Sequence, residues 1–340
     1  MAEIYGIPES EKEILQKSPS CVANFEDIGR IHNQVNEKLE KRKEKFQNKL
    51  PEEIKKEQKT LKEIKKSIEK TRHEHENKIS QIKSEIKQKK NNKKWLSIIP
   101  SYIKIIHQKY ISKPLNIHKY QKSMTKQRKK LKTLKENPEQ IFKKQENKLI
   151  EKTRELKELK SNPFYKGAYG EIKTLKELSK LNNKYKVLCG LNIELDHYIK
   201  YNGKHNLKSA QMDFVVVSQK GIFLIEVKNW SNQYLNKNKG ITPHEQLDRA
   251  GKTLYIYLNS QLNQNNTNID TKKNIDLNGK NLTKILVPIQ NNMNYNKNYK
   301  YVFVKNLTQL NNFITNRKTV YSQKETKIIT NALKNHITKK

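Results

Sequence analysis

The chain has 340 residues, 71 of them Lys or Arg against 34 Asp or Glu, and a formal net charge of +37, so the expected partner is a polyanion: nucleic acid first, an anionic membrane surface second. Cys21 and Cys189 lie far apart and form no metal-ligand pattern, which gives no reason to propose a disulfide and suits a reducing cytoplasm. No run approaches the ~18 uninterrupted apolar residues of a membrane-spanning helix, and Met1 to Pro8 lack the basic-then-apolar order of a signal peptide.

Residues 1–28 are mixed and read as a short helix or tail. From 29 to 160 the composition turns to Lys, Glu, Gln and Asn, the signature of a coiled-coil-like arm. Ile31, Val35, Leu39, Phe46 and Leu50 recur at helical spacing, and after Pro51, a good first helical residue, Ile54, Leu61, Ile64, Ile68, Ile79, Ile82 and Ile86 continue it. The spacing predicts a long helix of about 40 residues from Pro51. A second helical stretch spans 115–160, with a break or kink expected at Pro138. Between them, 95–111 is the least charged part of this half, so the simplest arrangement is an antiparallel hairpin with an apolar tip there, its Trp95, Tyr102 and Tyr110 packed within the tip. So narrow a seam calls for pairing with itself or in a homo-oligomer.

The pattern changes at Ser161-Asn162-Pro163. The alternation beyond it predicts a domain over 163–318, with a C-terminal helix over 319–340. In order come a helix (166–181), strands (185–197, 211–218, 221–229), a helix (243–261) and an Asn-rich loop (262–281). Strands at 283–289 and 301–306 and helices at 308–316 and 322–337 close the chain. The class is α/β, a central mixed sheet flanked by helices and preceded by the long helical hairpin.

Chemistry concentrates on two neighbouring strands. Side chains alternate along a strand, so Glu226 and Lys228 share one side, and Asp213 on the adjoining strand can approach them. A carboxylate and an ammonium within so apolar a strand need partners. A structural ion pair is the plain explanation, but such pairs seldom improve stability over apolar residues. Two carboxylates and a lysine on one face also suit a hard divalent cation and a phosphate. Glu171 shares a helical stripe with Ala168, Leu175 and Leu178, and Gln246 one with Ala250 and Leu254, so both are expected to face the core.

Gly167-Ala-Tyr-Gly170-Glu171, Gln211-Met-Asp213, Gly221-Ile-Phe-Leu-Ile-Glu226-Val-Lys228-Asn-Trp230 and Pro243-His-Glu-Gln246 together resemble the nuclease-related domain (NERD) family. That family is similar in turn to the PD-(D/E)xK nucleases with a restriction-endonuclease-like core. The resemblance implies Asp213 and Glu226 as metal-ligand carboxylates, joined by the Val227 carbonyl and by Glu171. It implies Lys228 as the group that positions the attacking water or steadies charge on the phosphate, Gln246 as a polar site residue, and Mg²⁺ (or Mn²⁺) as cofactor. Phe214, Thr242 and the lack of a Gly after Trp230 depart from the family pattern, which bears on substrate rather than on the carboxylates or the lysine.

The expected function is a metal-dependent, cytoplasmic nuclease acting on nucleic acid, DNA before RNA, with a basic arm for binding or oligomerisation. Lys126, Arg128, Lys129, Lys130, Lys132 and Lys135 form the densest basic run, either a phosphate-binding surface or a solvated helix face. The alternative is a nucleic-acid-binding or oligomeric scaffold on a fold that no longer cuts. A third reading anchors 95–111 on a membrane surface, against which Pro100, Lys104, His107 and Lys109 count.

Overall fold

The structure, a computed structural model, describes residues 1–92, 95–203, 205–230, 241–264, 282–290 and 297–338. From residue 265 the Asn-rich loop lies outside the described residues, as do the positions after Trp230 and the Trp95 side chain. The chain divides into two units, residues 1–32 with 155–340, and residues 33–154.

The first unit is built on a six-stranded mixed sheet in the order β1 (Glu3–Tyr5), β2 (Lys186–Tyr201), β3 (His205–Ser218), β4 (Gly221–Lys228), β5 (Leu282–Pro288) and β6 (Val302–Val304). β2, β3 and β4 form an antiparallel meander, while β1 joins β2, β5 joins β4 and β6 joins β5 in parallel. Parallel neighbours need a crossover. The β4–β5 crossover contains α8 (Pro243–Gln264).

Helices cover both faces, which is why the central strands read as nearly continuous apolar runs. On one face Leu247, Ala250, Leu254 and Leu258 of α8 and Ile329 and Leu333 of α10 (Gln323–Lys334) pack on Val215, Val217, Leu224 and Leu286. On the other, Leu178 of α7 (Pro163–Leu178) and Leu310 and Ile314 of α9 (Leu307–Thr315) pack on Val187, Phe214, Val216, Phe223 and Ile225.

The expected tail is a working part of this unit. β1 is an edge strand, and α1 (Glu9–Gln16) lies against α7, with Ile14 fully buried.

The second unit is an antiparallel helical hairpin. One arm is α2, which as a whole runs Phe25–Asn91. The other is α4 (Lys113–Glu136), α5 (Pro138–Gln145) and the start of α6 (Asn147–Ser161). Their cross-contacts run in opposite senses: Arg42 to Glu146, Phe46 to Phe142, Glu57 to Lys130, Glu76 to Lys113.

The helix expected to start at Pro51 instead runs through it for 67 residues. A proline removes one ladder donor, yet the seam residues on either side keep one helical phase, so one lost bond does not end the helix. Pro138 does end α4, with Asn137 leaving helical geometry at φ −136°. The tip is a short 3-10 turn (Trp95–Ile98), α3 (Ile99–His107) and a π turn (Gln108–Ser112). Tyr102 and Tyr110 are exposed there instead of packed, which corrects that expectation.

Candidate active site

The site forms where the sheet forks. β3 pairs with β4 through Phe214–Ile225, and on its other side the ladder steps from Cys189–Phe214 to Leu191–Met212. Position 213 falls outside both ladders. β4 meanwhile continues beside β5 through Glu226–Leu286 to Lys228–Pro288. Val227 therefore turns its N–H into the gap, where it donates to Asp213 Oδ2 at 2.7 Å. In an extended strand the N–H and C=O of one residue face the same edge, so the Val227 carbonyl also faces the fork.

Beside the fork lies a cavity of about 540 Å³ whose lining includes Glu171, Asp213, Glu226, Val227, Lys228 and Gln246. The structure thus brings all the residues expected in the catalytic or metal site to one cavity. The basic run from Lys126 to Lys135 belongs to the helical unit, where its side chains are exposed; Lys130 pairs with Glu57 and Lys132 with Glu136.

Glu226 is 2% exposed and accepts from Lys228 Nζ at 2.5 Å. Burial, then the charge of Asp213, pushes its carboxyl up to about 8. Asp213 is also raised by burial, against the pull of Lys228 and the Val227 N–H. Burial alone would lower Lys228, but Glu226 and Asp213 outweigh it and the ammonium is held above its ordinary value. The same ammonium lies 5.3 Å from the Trp230 ring centre.

Glu171 comes from α7. Its stripe is core-facing as expected, with Ala168 and Leu178 fully buried and Glu171 itself 6% exposed. Burial, followed by Asp213, raises its carboxyl to about 8. Ser10 counteracts this: its Oγ donates to Oε1 at 2.5 Å and its backbone N–H to Oε2 at 3.2 Å. Ser10 sits in the first turn of α1, where free N–H groups and the helix dipole favour an anion.

Gln246 departs from expectation. The buried side of α8 is Leu247, Ala250, Leu254 and Leu258, and Gln246 is exposed at the cavity wall. It sits on the shoulder of the stripe, one residue before the position that packs.

Sequence reasoning missed Ser10, Lys166 and Asn229 as cavity residues. Lys166 is exposed, and its carbonyl accepts from Asn229 Nδ2 at 2.7 Å. Asn229 Oδ1 is buried with no hydrogen-bond partner among the described residues. Lys166 and Asn229 flank motif residues already in view, whereas nothing local connects Ser10 to Glu171.

The donors are carboxylate, carbonyl and amide oxygens, the set preferred by Mg²⁺ or Mn²⁺. Among the described residues no three His, Cys, Asp or Glu side chains form a closed metal cluster. Mg²⁺ does not need one, since it keeps several waters and binds through one or two carboxylates. Crowded buried acids with raised proton affinity and an unsatisfied buried oxygen fit a cation chemically.

Residues 166–312 match the family model of the nuclease-related domain, NERD. The match takes in Glu171, Asp213, Glu226, Lys228 and Gln246 and leaves out Ser10 and the helical unit. No curated protein and no solved structure matches the chain.

Proposed function

From the match of residues 166–312 to the nuclease-related domain, we propose that the chain is a metal-dependent nuclease hydrolysing phosphodiester bonds, DNA first among its substrates. The observation that carries this is the grouping of three acids and Lys228 around one cavity at the sheet fork. Asp213 and Glu226, with the Val227 carbonyl and Glu171, would hold Mg²⁺ (or Mn²⁺). A bound divalent cation lowers the pKa of its water and neutralises charge at phosphorus.

The chain's own groups divide the remaining work. Lys228 offers a desolvated ammonium to the phosphate oxygens, where charge–charge stabilisation is strongest. Glu226 aims that ammonium, and the Val227 N–H fixes the Asp213 carboxylate. Lys166 adds a cation to the cavity's lining, and the basic run of the helical unit supplies non-specific attraction to the backbone. A cytoplasmic setting suits two cysteines that are both free.

The test is cleavage of linear and circular DNA and of RNA with Mg²⁺, comparing the wild-type chain with Asp213→Ala and Lys228→Ala. Loss of at least about 100-fold in each variant is expected, the scale of removing one preorganised electrostatic group. Equal activity in all three would remove the assignment.

A second reading, a nucleic-acid-binding scaffold that does not cut, draws on the closed Glu226–Lys228 pair, which occupies both partners with each other. Salt-sensitive DNA binding with no calorimetric signal for Mg²⁺ would favour it.

A further inference from the structure

The tip of the helical hairpin is inside out. The stripe of α3 and its flanking turns that meets α2 is Ile98, Ser101, Ile105, Gln108 and Ser112, at spacings of three and four. Two of its polar members are engaged there: Lys89 Nζ donates to Ser101 Oγ at 3.2 Å, and Gln108 Oε1 lies 2.8 Å from His75 Nδ1. The opposite stripe is Leu96, Ile99, Ile103, Ile106 and Tyr110, each between 55% and 86% exposed. A helix surrounded by water turns its apolar face inward; here the more apolar face points out, as five large side chains in one row. So continuous a patch marks an interaction surface.

Charge narrows the occupant. From Ile86 to Lys135 there is no Asp or Glu, while sixteen Lys and Arg occur. At 100° per residue, Lys104 and His107 fall along one side of the apolar stripe and Lys109 along the other, so the charges that interrupt the sequence flank the stripe on the helix. Pro100 lies in the first turn of α3, where its missing N–H is harmless. The features that count against a membrane contact in the linear sequence thus support one on the folded tip.

We infer that this face seats on an anionic lipid surface, its aliphatic residues at the headgroup–acyl boundary and its lysines among the phosphates. Apolar stems below and charged heads above is how such helices lie on bilayers. A second copy would match the apolar stripe but would set one acid-free basic stretch against another. A nucleic acid would match the charge but offers the aliphatic row nothing. Among the described residues no helix is long and apolar enough to cross a membrane, so the contact is interfacial.

Flotation of the full chain with vesicles tests this, neutral phosphatidylcholine against phosphatidylcholine mixed with phosphatidylglycerol. The chain is expected to float with the anionic vesicles, less so at high salt, and poorly with the neutral ones. Ile103→Asp with Ile106→Asp should lower the partition at least about tenfold, because each replaces an apolar contact by a charge of the wrong sign. Both positions are exposed, so circular dichroism should be unchanged. Failure of the wild-type chain to float overturns the inference, as does flotation that the double variant leaves intact. It is also overturned if the double variant abolishes self-association in sedimentation, or duplex DNA binding, while the wild-type chain ignores vesicles. None of these readouts involves the cavity, so its outcome is separate from the nuclease reading.

Discussion

Glu226 and Glu171 are held in a cavity that prefers them protonated near neutrality, each raised to about 8 from the ordinary 4.5. Unfolded, both acids release their protons near 4.5; folded and metal-free, they keep them to about 8. Between those limits the folded state binds more protons than the unfolded one, so stability falls as pH rises across the window. A cation that replaces the protons should reverse this. We predict that in chelator the melting temperature declines from pH 5 to pH 8, and that Mg²⁺ raises it by an increment that grows over the same interval. Glu226→Gln, which has no proton to release, should flatten the decline and shrink the increment. A melting curve indifferent to pH and Mg²⁺, or one that Glu226→Gln leaves unaltered, would contradict the burial and crowding on which the site rests.

The elements around the fork meet through glycines. A Cβ at Gly167 would stand 2.7 Å from Ser10 Oγ, and one at Gly170 would stand 3.2 Å from Asn229 Cβ. Gly167 therefore makes room for α1, and Gly170 lets α7 settle on β4. Glycine within a helix is ordinarily a loss of about 0.5–1 kcal/mol relative to alanine, so Gly167→Ala would stabilise if helix propensity decided the outcome. The contact predicts the opposite: Gly167→Ala should destabilise the fold, and Ser10→Ala in that background should recover part of the loss. Denaturant unfolding of the two single variants and the double one measures the coupling, expected at about 1 kcal/mol; additive effects would mean that α1 does not bear on α7. This seating is also what linear reading could not reach. Strands at 186–197, 211–218 and 221–228 and the helices α7 to α10 were legible because apolar periodicity changes with element type, whereas the end of β2 to Tyr201 and the start of β3 from His205, which are less apolar, were not. β1 has three residues, too few for a period, and Ser10 meets Glu171 across 161 positions with no local sequence to announce it. Asp213, Glu226 and Lys228 were visible because charge inside an apolar strand is conspicuous. Gln246 was misjudged by one step of a helix, the difference between a core position and a cavity wall.

Over the whole molecule the excess of positive charge is uneven in what it can do. Within the run expected to meet phosphate, Lys130 and Lys132 already face Glu57 and Glu136. Lys126, Arg128, Lys129 and Lys135 have no acidic partner among the described residues and are exposed. A lysine already matched by a carboxylate gains little from a phosphate, because one attraction replaces another; an unmatched one releases a counterion from the nucleic acid. Binding of duplex DNA should therefore weaken steeply with salt, and exchanging the four unmatched residues for Gln should lower the slope of log affinity against log salt by about 3 to 4, near 0.9 per contact. Exchanging Lys130 and Lys132 instead should change it by less than about 1. Fluorescence anisotropy across a salt series reads both. Equal effects of the two sets would mean that the ion pairs of Lys130 with Glu57 and of Lys132 with Glu136 open in solution, and no effect of either would make the run a solvated helix face.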